Sequence, residues 1–118
     1  MTPNKAIEIV DRLKPNTYDD EDKLRWINEL EGMVQRLVLQ SDKIDQLAYP
    51  EDMSKELLIP SPYDDAYTLF LEAKIDYYNK EIGNYNNSAM MFEAQFSEYR
   101  KDYIRNHRAK GGENVTLS

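Results

Sequence analysis

The amino-acid sequence predicts an all-α protein: a small helical bundle built on a long antiparallel helical hairpin, with a long loop between the second and third helices and a flexible C-terminal tail. Three observations predict it. Apolar residues recur at steps of three and four over most of the chain, the period of a helix. Ser61–Arg108 carries two such patterns separated by a short Asn/Gly-rich joint, and helices joined so closely lie antiparallel. Gln40–Pro60 alone keeps no stripe, and about twenty residues without regular structure is long for a connection in a compact domain.

The elements follow in order. Thr2-Pro3 supplies a cap and first turn for a helix through about Leu13, with Ala6, Ile7, Val10 and Leu13 on one side. Pro15 ends it, because the residue before a proline avoids the helical region. A second helix begins near Thr17–Asp19. Its acidic first turn, Asp19-Asp20-Glu21-Asp22, suits the positive end of the helix dipole. The stripe Leu24, Ile27, Leu30, Val34, Leu37, Val38 gives it an apolar face, with Trp26 and Met33 beside it to pack on the first helix or on another subunit. Gly32 inside this helix weakens it by roughly 1 kcal/mol relative to alanine.

The Gln40–Pro60 loop carries the apolar clusters Ile44, Leu47, Tyr49 and Leu57, Leu58, Ile59. The second cluster is expected to tuck under the helices or to form a short extended piece. For the third helix, Ser61 reads as the cap, Pro62 as the first helical position and Asp64 as the capping-box partner. Its apolar positions run from Tyr63 to about Gly83. The fourth helix is expected from Ser88, with Ala89, Phe92, Phe96, Tyr99 and Tyr103 on one stripe. The chain reads as one helical domain, residues 1–108, followed by a mobile tail, residues 109–118. In that tail Val115 and Leu117 alternate with polar residues and suit strand addition to a partner.

Composition bounds the function. No run approaches the roughly 20 apolar residues of a membrane span, and the N-terminus lacks a signal-peptide core, so the expectation is a protein that stays where it is made. With no cysteine there are no disulfides, thiolate nucleophiles or zinc-thiolate sites. A net charge of −7 argues against broad nucleic-acid binding. The charge is uneven: residues 98–118 carry five bases (Arg100, Lys101, Arg105, Arg108, Lys110) against three acids. These bases complement the end of a helix or form a basic hook for an acidic partner surface.

Catalytic constellations are poorly supported. His107 is the single histidine and lies among bases, and a di-iron bundle needs two histidines on separate helices. The acids near Asp42–Asp52 lack calcium-loop spacing, and Gly111-Gly112 follows a helix instead of opening one. The reading is therefore not an enzyme, with no catalytic residue, metal or cofactor. Nine tyrosines are a different signal, since tyrosine serves wet core margins and interfaces.

The stretch Ile75–Phe96, IDYYNKEIGNYNNSAMMFEAQF, set within residues 4–108, resembles the head–tail connector (adaptor) proteins of long-tailed phages and prophages of Gram-positive bacteria. The resemblance implies a structural virion protein forming a homo-oligomeric ring, typically of twelve, under the portal. It implies a neck position in the virion, after assembly in the host cytoplasm. Its partners would be the portal protein and the next neck or tail-completion protein, with DNA passing through without specific binding and no membrane involved. Arg105, Arg108 and Lys110 are then the expected portal contact. Ile44, Leu47, Tyr49, Leu57, Leu58 and Ile59 are expected to meet a neighbouring subunit or line the channel. The alternative is a small monomeric helical binding module or regulator carried on a mobile element. An acidic DNA mimic ranks below both, because the acids are spread over caps, loop and helix surfaces.

Overall fold

The computed structural model describes residues 1–112, with side chains through His107. Among the described residues the architecture is all-helical: α1 (Pro3–Leu13), α2 (Asp20–Met33), α3 (Asp65–Tyr78) and α4 (Ile82–Gly112). Helix α2 runs directly into a π-helical turn, Val34–Val38, closed by Leu39 N–H donating to the Val34 carbonyl. No strand forms between Gln40 and Pro60.

Both N-terminal caps form as their sequences dictate. Thr2 Oγ1 accepts from Lys5 N–H, and Asp19 Oδ1 accepts from Asp22 N–H at 2.8 Å. The coreward stripes of α1 (Ala6, Ile7, Val10) and α2 (Leu24, Ile27, Leu30, Val34) meet α3 through Ala66, Tyr67, Leu71 and Ile75. Phe92, Phe96 and Tyr99 of α4 close the other side. Trp26 is buried within the subunit, stacked on Tyr78 and edge-on to Tyr18.

Two helix boundaries differ from the sequence reading. The Ser61–Pro62 signal does not start α3. Tyr63 N–H instead donates to the Pro60 carbonyl in a turn, the Ser61–Pro62 peptide is cis, and Asp64 caps α3 without a side-chain hydrogen bond. The hairpin joint is also not the Asn/Gly-rich segment 83–87, which is helical. Lys80, with φ 61°, turns the chain instead. Its N–H donates to the Tyr77 carbonyl, and Glu81 N–H donates to the Asp76 carbonyl. That is a complete Schellman closure with lysine where glycine is usual. The weak helix formers 83–87 are carried in the first turns of α4, where Tyr85 packs on Tyr77 and Ser88 reaches Asp76, so tertiary contact overrides propensity.

Residues 109–112, expected to belong to a mobile tail, are helical. Helix α4 continues through Gly112, while Val115 and Leu117 lie outside the described residues.

Gly32 has no packing reason to be glycine. A Cβ there meets only Ile44 Cγ2 at 3.8 Å, an ordinary contact. Gly32→Ala is expected to stabilise the protein by up to about 1 kcal/mol. The check is a higher urea midpoint at unchanged slope, and a lower midpoint would refute it.

Candidate functional site

The 40–60 loop is irregular yet held at defined points. Three polar side chains of the α2 segment, spaced three and four apart, grip its backbone. Asn28 Nδ2 donates to the Leu47 carbonyl (3.1 Å) while Leu47 N–H donates to Asn28 Oδ1 (2.9 Å). Gln35 repeats the pattern on Asp45: Nε2 donates to the Asp45 carbonyl (3.0 Å) and Oε1 accepts from Asp45 N–H (2.8 Å). Between them, Glu31 Oε2 accepts from Leu58 N–H at 2.9 Å, and its Oε1 accepts from the Tyr67 hydroxyl. Tyr67 in turn accepts from Ile59 N–H at 2.8 Å. A chain segment without ladder partners thus has backbone polar groups of Asp45, Leu47, Leu58 and Ile59 satisfied by side chains.

Glu31 is the chemically unusual member. It is buried, and burial pushes its carboxyl above the ordinary carboxylate range despite the opposing bonds from Tyr67 and Leu58. Tyr67 is raised as well, by burial and by the adjacent carboxylate. The comb of Asn28, Glu31 and Gln35 escaped the sequence reading. Its signal was three acceptor-bearing residues of helical spacing on the flank of the Leu24–Val34 stripe.

The six apolar loop residues divide. Leu57 and Ile59 are buried in the core, so they tuck under the helices and are committed within the subunit. Ile44 and Leu47 are half-buried, and only Tyr49 and Leu58 present exposed apolar side chains. The proposed basic contact is not gathered with the loop. Arg105 lies on the projecting end of α4, with Nη2 3.2 Å from Asp102 Oδ1. Arg108 and Lys110 continue that helix, but their side chains lie outside the described ones. His107 stacks on Tyr103, and its Nδ1 lies 2.9 Å from the Tyr103 carbonyl.

Two apolar grooves flank the α3/α4 hairpin. The first, about 510 Å³, lies between α2, α3 and α4; its apolar wall is Met33, Phe70, Tyr77, Tyr78, Tyr85, Ala89 and Phe92, and the paired Glu29 and Lys74, with Glu93, also line it. The second, about 480 Å³, lies between α1, α3 and α4; its apolar lining is Ile9, Leu13, Leu69, Met91 and Ala94, beside Asp65, Thr68, Glu72 and Gln95. On α3 the first uses positions 70, 73, 74, 77 and 78 and the second uses 65, 68, 69 and 72. At about 100° per residue these sets stand on roughly opposite sides of the helix. Tyr77, Leu13 and Met91 are each more than half exposed, at 54%, 64% and 58%. Three tyrosines, Tyr77, Tyr78 and Tyr85, therefore wall the first groove, and Met91 lines the second.

Among the described residues no group of three or more His, Asp or Glu is placed to hold a metal ion. No helix there is long and apolar enough to cross a membrane. No family model, curated protein or solved structure matches the chain.

Proposed function

We propose that this chain is a head–tail connector subunit. Copies associate head to tail into a ring, typically of twelve, under a phage portal. The ring extends the DNA channel and docks the next neck or tail-completion protein. The observation that carries the reading is the pair of unlike apolar grooves on opposite flanks of the hairpin. An interface joining two different patches of the same chain is heterologous, and heterologous contacts close into rings when the rotation permits. A hydrophobic surface on both flanks of so small a subunit also marks interaction sites.

The resemblance through Ile75–Phe96 supplies the biological setting, and the net charge of −7 suits a wall past which DNA slides without sticking. In this reading Arg105, Arg108 and Lys110 on the projecting helix meet the portal. The protein belongs to the virion neck and is assembled in the host cytoplasm.

Native mass spectrometry of the protein alone, and mixed with the cognate portal, tests this. A ring of defined mass is expected in one of the two samples. Tyr77→Glu and Met91→Glu should each abolish it, because each places a charge in one groove. Mixed together, the two variants retain one intact patch apiece and should stop at a pair. A strict monomer that ignores the portal would refute the reading and favour a small monomeric binding module.

A further inference from the structure

The grip of α2 on the loop leaves the loop's other edge open. Asp45 and Leu47 both turn N–H and C=O toward Gln35 and Asn28, so the segment is extended there and Gln46 faces the opposite way. Gln46 is exposed, and its N–H and C=O have no hydrogen-bond partner among the described residues. A backbone edge fixed on one side and unpaired on the other is a template for strand addition. Beside it lies a groove of about 290 Å³ between the two limbs of the loop, with Leu39, Leu47 and Leu58 as its apolar lining.

We propose that this edge receives the C-terminal segment of a second copy, Asn114–Leu117, as an added strand. The inference rests on the self-assembly reading above. One residue of the segment exchanges both backbone bonds with Gln46. Val115 and Leu117, two apart, put their side chains on one face, which can meet Leu39, Leu47 and Leu58 in a groove otherwise lined by polar and charged residues such as Glu31, Lys55 and Glu56. The course of α4, away from its own core, favours a neighbour over the same subunit. Tyr103 is the last α4 residue packed on the core, and Ile104–His107 are all exposed. The helix therefore carries the chain about 14 Å beyond the body before Gly112. The residues after Gly112 then reach a further ~20 Å at full extension.

The natural absence of cysteine makes the test clean. Gln46→Cys protein co-assembled with Thr116→Cys protein, then oxidised, is expected to give a disulfide-linked pair containing one of each. A Glu8→Cys partner on α1 should give none. In parallel, Gln46→Pro removes only the outward N–H, in an extended segment that tolerates proline. It is expected to lower assembly at least tenfold with an unchanged thermal midpoint, while Gln46→Ala assembles normally.

A ring that forms without the cross-link and is indifferent to Gln46→Pro overturns this inference and leaves the connector reading standing. A disulfide within one chain of a Gln46→Cys, Thr116→Cys variant, with none between chains, also overturns it. Failure of the unmodified protein to assemble, alone or on the portal, overturns both.

Discussion

Tyr67→Phe is expected to cost about 2–5 kcal/mol in a urea unfolding experiment, although it removes one oxygen atom. That hydroxyl is at the centre of a chain of bonds no solvent can replace. It accepts from Ile59 N–H at 2.8 Å and donates to Glu31, and Tyr67 and Ile59 have no exposed surface. Removing it leaves a buried N–H without an acceptor and a buried carboxylate short of a donor. Each such loss costs roughly 1–3 kcal/mol, more for a charged group. A comparable ring substitution at Tyr49, exposed at the loop surface, should stay within about 0.5 kcal/mol.

The pH dependence gives a second readout. Glu31 is raised above its ordinary value of 4.5, chiefly by burial. A raised carboxyl contributes stability that is fully present below the unfolded pKa and is lost as pH rises through the folded value. The parent should therefore lose some stability from about pH 4.5 upward. Tyr67→Phe deletes the hydrogen bond that opposes burial, so Glu31 rises further and the loss steepens. Glu31→Gln should flatten it. Equal slopes for parent and Tyr67→Phe would show that Glu31 does not feel the hydroxyl.

The helices were legible because their apolar periodicity is local, and the first two also carry local start signals. Thr2 caps as written, Asp19 caps α2 just ahead of the acidic first turn in which the sequence placed it, and the stripes Ala6–Val10 and Leu24–Val34 face the core. The hairpin turn was not legible, because the residues that look like a turn, Gly83-Asn84-Tyr85-Asn86-Asn87, are drawn into α4 by contacts that close only in three dimensions. Lysine at position 80 gives no local sign of a left-handed conformation. The site shows the same division. The loop's lack of periodicity was readable, and so was the burial of Leu57 and Ile59. That Asn28, Glu31 and Gln35 hold the loop was not, since a polar residue on a helix flank reads as solvated until the chain 10 to 27 positions later returns to it. Asp76 belongs to this class too: it sits in an apolar run, and its partners come from two other helices.

Those partners set the other large effect. Lys14→Met is expected to destabilise the protein by about 3–5 kcal/mol, a substantial part of the 5–15 kcal/mol that holds a domain together. Asp76 is completely buried in α3. Lys14 Nζ, at the end of α1, lies 2.9 Å from its Oδ1, and the Ser88 hydroxyl of α4 donates to its Oδ2 at 3.2 Å. One carboxylate thus joins three helices. Taking away the ammonium leaves Oδ1 with no partner among the described residues, a buried charge with only a hydroxyl to answer it. The hydrogen bond to Asp76 is also the main cause that raises the Lys14 pKa above 10.5, against the opposing effect of burial. That raised value makes the pair's contribution persist through neutral pH and fall away only as pH climbs above 10.5 through the folded pKa. Replacing both members, Lys14→Met with Asp76→Leu, should return stability to within about 1 kcal/mol of the parent. A buried pair exchanged for apolar groups of similar size is close to neutral, whereas a broken pair is not. If the double variant is as unstable as Lys14→Met alone, the loss comes from the packing of the lysine stem and not from the stranded charge.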